Sequence, residues 1–136
     1  MFLVTPNQLE IINVNHIVAV KTMHAIKKIL IYTESTVIAV RTLTQDELES
    51  YEEQIEIAVH SASPRWVKCQ NWLFRADKIV QVTTNNDGLS VHVADEKAFK
   101  VIRTGTTTNE ELMTELVKSL SRPLLSDKGP SLIYIK

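Results

Sequence analysis

A chain of 136 residues that is 44% hydrophobic and 23% charged has a globular composition, not that of a disordered chain. It is long enough for one ordinary domain, or for two small halves that share a core. A net charge of −1, a single cysteine and three glycines exclude, in turn, an overall basic protein, an internal disulfide and long flexible linkers.

The start, "MFLVTPNQLE", has a short apolar run and no basic leader, so neither a signal peptide nor a membrane span is expected, and the chain reads as cytoplasmic. "FLVT" is a candidate strand. "HIVAVKT", "KKILIYT" and "TVIAVRT" follow as short segments rich in β-branched residues, spaced as a meander. A helix is predicted over 45–60, with Leu48, Tyr51, Ile55 and Ala58 on its buried face. "RWVKC" and "WLFRA" are then two strands with a turn at Gln70–Asn71. "KIVQVTT", "LSVHVA" and "AFKVIRT" form a second meander whose hairpin turn is "NNDG" at 85–88. A second helix is predicted over 109–121, with Leu112, Leu116, Val117 and Leu120 facing inward. After Pro123 the chain is irregular, and "SLIYIK" can add a closing strand.

Segment 15–42 aligns with 77–104 without a gap, and seven of the 28 positions are identical, among them Ile17/Ile79, Val18/Val80, Val20/Val82 and Arg41/Arg103. Thr44 with Glu47 and Thr108 with Glu111 are two capping boxes at equivalent places. Together these predict an α+β fold built by tandem duplication of a β-β-β-β-α unit. The halves would be 1–62 and 63–122, packed as a pseudo-dimer with a tail at 123–136. Alternation along the strands puts Val18, Val20, Ile29, Ile31 and their counterparts Val80, Val82, Val91 and Val93 on helix-covered faces. Ile17, Ala19, Leu30 and Tyr32 then form a second apolar face in the first half. It calls for a cover, either the other half or another subunit, and self-association is expected.

Charge separates along the chain. Residues 45–60 carry six acids and no base, whereas the strand regions are basic. Acids favour helix starts and lysines blunt strand edges, which accounts for part of this. The functional reading is a basic sheet that meets a polyanion. The candidate binding residues are Lys27, Lys28 and Arg41 in the first half, with Lys68, Trp72, Arg75, Lys78, Lys100 and Arg103 in the second. The cations would neutralise phosphates and Trp72 would stack on an unpaired base, although Trp66, Trp72 and Phe74 equally suit a core. His16, His24, His60 and His92 lack ligand-like spacing, so no metal is expected. Gly105, between a strand and a helix, is too little for an anion site beside Glu110 and Glu111. No nucleophile motif surrounds Ser, His and Asp, so no catalytic residue and no cofactor are expected.

The stretch "ADKIVQVTTNNDGLSVHV", followed by "KVIRT" and "EELMTELV", resembles the FlbD family of small flagellar proteins. That resemblance implies a β-meander-plus-helix fold with no catalytic residues. The doubled topology resembles the Whirly and PUR-repeat class of single-stranded nucleic-acid binders, which implies sheets that bind unpaired strands and subunits that assemble. The sequence thus points to a non-enzymatic binder of single-stranded nucleic acid. The alternative is a protein-assembly module using the apolar face of the first half.

Overall fold

The computed structural model describes residues 2–6, 10–60, 65–93, 97–102, 107–121 and 132–135. It is an α+β protein of mostly antiparallel strands with two helices. In the first half, β1 (Phe2–Val4), β2 (Ile11–Asn13), β3 (Ile17–Met23), β4 (Lys28–Thr33) and β5 (Val37–Arg41) precede α1 (Gln45–His60). In the second half, β6 (Trp66–Cys69), β7 (Trp72–Arg75), β8 (Ile79–Thr84), β9 (Gly88–Val93) and β10 (Ala98–Ile102) precede α2 (Asn109–Ser121). A closing strand, β11 (Leu132–Ile135), runs parallel to β6.

The same order of elements therefore occurs twice: a hairpin, a one-turn 3₁₀ segment, a three-stranded meander and a helix. Both helices start on a threonine, whose hydroxyl accepts the third residue's N–H at 3.1 Å: Glu47 to Thr44 and Glu111 to Thr108. Glu47 in turn accepts from the N–H of Leu43, the residue before the cap, at 3.0 Å, which ties the entering chain to the first turn. Each half holds five strands where the repeat unit was read with four; the five of the second half were each legible in the sequence, and the strand missed is in the first. Ile11–Asn13 is too short and too close to Pro6 to stand out as a strand.

The strands form three sheets, ordered β1-β2, β11-β6-β7-β3-β4-β5 and β10-β9-β8. The middle sheet mixes the halves, because β7 pairs antiparallel with β3 (Ala19↔Phe74, Val20↔Leu73, Lys21↔Trp72). Its alternating side chains feed two cores. One core packs Val20, Ile29, Ile31, Trp66 and Leu73 against the β1–β2 hairpin (Leu3, Ile12) and α1 (Leu48, Tyr51, Ile55, Ala58, Val59). The other packs Val18, Ala19, Val67, Trp72 and Phe74 against Val91, Val93, Phe99 and Val101 of the third sheet and Leu112 and Leu116 of α2. The molecule is thus three sheet layers with a core in each gap.

Simple alternation fails at one point in each half. The pairing register slips between Ile17 and Ala19 and again between Ile79 and Gln81. A bulge puts two successive residues on one face. Ile17 therefore joins the α1 core while Val18 and Ala19 both face the other one, which corrects the placement of Ile17 and Val18 expected from alternation. In the second half the same slip turns Val80 out to solvent at 72% exposure, where alternation had placed it under a helix. Val117 is also turned out, at 52%, beside the buried Leu116. The gapless repeat alignment ends at the turn after β3 and β8. Thr22 pairs with Ile29 and its counterpart Thr84 with Leu89, so β4 matches β9 at an offset of 60 and not 62. Lys28 pairs with Arg41 as Gly88 does with Ile102, and Leu30 with Ala39 as Ser90 does with Lys100. Ile102 is therefore the structural counterpart of Arg41, and Arg103 lies outside the described residues.

The face of Ile17, Ala19, Leu30 and Tyr32 is not a docking surface. Ile17 and Ala19 are fully buried, and Tyr32 packs on Trp72 and Phe99 at ring distances of 5.7 and 4.7 Å. Ile17 is covered by the α1 core and Ala19 and Tyr32 by the second half of the same chain, while Leu30 is left half-buried.

Candidate nucleic-acid interface

One end of the middle sheet gathers cations. β3 ends at Lys21 and Met23, and Met23 pairs with Lys28 of β4, which pairs with Arg41 of β5. Between β3 and β4 the chain makes a 3₁₀ turn, His24–Ile26, closed by Lys27 in the left-handed region at φ 52°. Lysine accepts that conformation at some cost. The Lys27 carbonyl accepts from both the N–H (3.0 Å) and the hydroxyl (3.3 Å) of Thr42, fixing the turn against the end of β5. Lys100 arrives from β10 and shares an open cleft of about 640 Å³ with Lys21, His24, Lys68, Asn71 and Trp72. The β6–β7 turn closes the other side through Gln70 at φ 58°, and Asn71 Nδ2 donates to the Thr22 carbonyl at 3.0 Å.

Lys21, Lys27, Lys28, Arg41 and Lys100 take part in no ion pair among the described residues. Lys68 belongs to the cleft but is held by Glu56. His24 is 3.8 Å from Glu52 and within 3.0 Å of Gln45 Nε2. The cleft is thus edged by Lys21, Lys68 and Lys100, and the acid that lines it, Glu52, sits beside His24.

The sequence-derived candidates divide accordingly. Lys68 and Lys100 line the cleft, whereas Lys27, Lys28 and Arg41 lie at the same end of the middle sheet outside it, Arg41 lining a second cleft with Asp46 and Glu47. Arg75 and Lys78 belong to neither group, because they sit at the opposite end of β7 and are spent on structure. Arg75 donates to Asp77 at 2.9 Å and to the Asn15 carbonyl, while Lys78 pairs with Glu34 at 3.1 Å. Lys78 first, and His16 second, hold the Glu34 carboxyl below its ordinary value. Trp72 also departs from its expected role. It is 4% exposed, stacked on Phe74 at 5.3 Å with an 8° interplanar angle, and lies under Lys21 Nζ at 5.3 Å. Both faces of the indole are occupied, so no base can stack on it. Trp66, 1% exposed, belongs to the α1 core. The sequence reading missed Lys21, whose place at the cleft depends on the Lys21↔Trp72 pairing between halves. Only a long-range strand pairing could have revealed it.

Cys69 is buried, and its thiol is pushed up to about 11, which makes it a poor nucleophile. Among the described residues no three His, Cys, Asp or Glu side chains converge as metal ligands, and no helix is long and apolar enough to cross a membrane. His60 lies outside the residues whose side chains are described.

No protein-family model matches the sequence, and no curated protein matches it. The fold does have a solved counterpart. The LytTr DNA-binding domain of a DNA response regulator from Bacillus cereus superposes with a TM-score of 0.54, covering 89% of this chain and 95% of that one. At 10% identity the likeness is one of fold. No binding residue is transferred by it.

Proposed function

We propose that this chain is a non-catalytic nucleic-acid-binding domain. Its grip is on phosphates, through the cationic rim at the β3–β4 turn end of the middle sheet. The observation that carries the reading is that Lys21, Lys27, Lys28 and Arg41 lie at one end of the middle sheet, with Lys100 lining the cleft beside Lys21, and that none of them is in an ion pair among the described residues. Cations clustered on one surface raise the local potential and attract a polyanion. A fold shared with a DNA-binding domain agrees with this use of the surface.

Chemistry also narrows the mode. Among the described residues Phe2 is the one highly exposed aromatic ring, and it is not among the residues of the cationic cleft. A surface of lysines and one arginine without exposed rings contacts backbone and not base faces. Single strands are therefore bound by charge alone, without the stacking that the sequence suggested for Trp72. The recurrence of elements, bulges and helix caps at matching places supports an origin by tandem duplication.

The test is fluorescence anisotropy with labelled single-stranded and duplex oligonucleotides at low salt. Lys28→Gln with Arg41→Gln, and separately Lys100→Gln, should each weaken binding several-fold, while Lys78→Gln leaves it unchanged. Binding that is absent from the unmodified chain, or that responds to Lys78→Gln and not to the rim, overturns the proposal.

A further inference from the structure

Inside the molecule, the second repeat's hairpin completes the first repeat's meander: the β7 edge pairs with β3. The counterpart of β3 in the second half is β8, and β8 is the last strand of its sheet. The counterpart of β7 in the first half is β2, and among the described residues it too has a neighbour on one side only. The chain therefore ends, at its two outer layers, on the two unmated halves of a contact it already makes internally. We propose that a second copy of this chain mates them, the β2 edge of one molecule joining the β8 edge of the next, head to tail.

The internal register transposes directly. Moving Ala19↔Phe74, Val20↔Leu73 and Lys21↔Trp72 by the 62-residue repeat gives Gln81 opposite Ile12, Val82 opposite Ile11, and Thr83 opposite Glu10. The hairpins that would be exchanged are built alike, since Phe2↔Asn13 and Leu3↔Ile12 in one match Trp66↔Arg75 and Val67↔Phe74 in the other.

Side-chain burial agrees at both edges. Trp66 and Leu73, which the internal contact buries to 1% and 5%, correspond to Phe2 and Ile11, which are 64% and 70% exposed. Val18, 4% exposed beneath the next layer, corresponds to Val80 at 72%. Large apolar side chains stand in solvent where the repeat would bury them, and Val82, opposite Ile11 in the transposed register, is only partly covered by its own core. Bare strand edges flanked by exposed apolar side chains are templates for strand addition. The two mating surfaces differ, so the contact is heterologous and propagates as an open stack or closes as a ring. This inference rests on the repeat and is independent of the nucleic-acid reading.

The experiment is sedimentation velocity of the full chain over a wide concentration range, with Ile11→Lys and Val80→Lys variants. Both positions are exposed in one molecule, so both variants should keep the circular dichroism spectrum of the unmodified chain; Phe2→Lys replaces Ile11→Lys if that chain does not. The unmodified protein should grow beyond a dimer with concentration. Each variant alone should be monomeric. An equimolar mixture of the two should form a dimer and stop there, because it contains one intact β2 edge facing one intact β8 edge. A chain that is monomeric throughout overturns the proposal. So does association that survives either substitution, or a mixture of variants that stays monomeric.

Discussion

Val18 and Val80 are the same residue at the same place in two repeats, yet the bulges and layers give them opposite surroundings. Truncating each to alanine tests that difference, because what a strand loses with a β-branched side chain is chiefly its packing and burial. Val18 is 4% exposed in the second core. Removing its two methyl groups forfeits about 1.6 kcal/mol of transfer free energy at roughly 0.8 per carbon. A residual cavity raises the cost to about 2–3 kcal/mol. Val80 is 72% exposed, so the same truncation there costs less than about 0.5 kcal/mol. With an unfolding entropy near 2.1 cal/mol/K per residue, the Val18 variant melts roughly 9 °C lower than the Val80 variant. Urea titration and thermal scans in dilute solution measure both. Equal destabilisation of the two variants would refute the register slip at Ile17/Ala19 and Ile79/Gln81, and with it the layer assignment of both sheets.

Other consequences follow from single groups. Thr44→Ala and Thr108→Ala each remove a helix N-cap and should each cost about 1 kcal/mol by denaturant titration. The Tyr51 hydroxyl is buried with no hydrogen-bond partner among the described residues, and its pKa is pushed up to about 12, chiefly by burial and then by Glu10. Tyr51→Phe should therefore leave stability unchanged or raise it, by the same titration. Glu34, with its carboxyl held low by Lys78 and His16, favours the folded state above the ordinary carboxylate range. That contribution is lost as pH falls through the lowered value. Glu34→Gln should flatten the acid limb of stability against pH, read as urea midpoints across that range. Cys69, buried and with its thiol near 11, should resist alkylation at neutral pH until the protein unfolds.

Local signals carried much of this fold in the sequence. The capping pairs Thr44/Glu47 and Thr108/Glu111 located both helices, and the apolar spacing of Leu48, Tyr51, Ile55 and Ala58 gave the buried face of α1. Asn85 to Gly88 marked a hairpin turn that the structure closes with Asn85 Oδ1 accepting from Asp87 and Gly88 N–H at 2.9 and 2.8 Å. What stayed hidden was non-local. A bulge adds one residue without any signature at Val18 or Val80, and it reverses every inference from alternation on its N-terminal side. Composition could count Arg75 and Lys78 as cations but could not show them committed to Asp77 and Glu34. The interleaving of Trp72 with lysines reads the same whether the ring is a stacking platform or a core residue. The pairing of β7 with β3 decides between them.

That pairing also sets how the chain can be divided. The β6–β7 hairpin lies in the sheet begun by the first repeat and contributes Trp66 and Leu73 to one core and Val67 and Phe74 to the other. A backbone cut between α1 and β6 therefore yields two fragments, each carrying unfinished parts of both cores. Neither should fold by itself, and the two should reassemble when mixed. The covalent link across that point is a convenience of synthesis, while the strand ladder between Ala19–Lys21 and Trp72–Phe74 is what makes the two halves one folding unit.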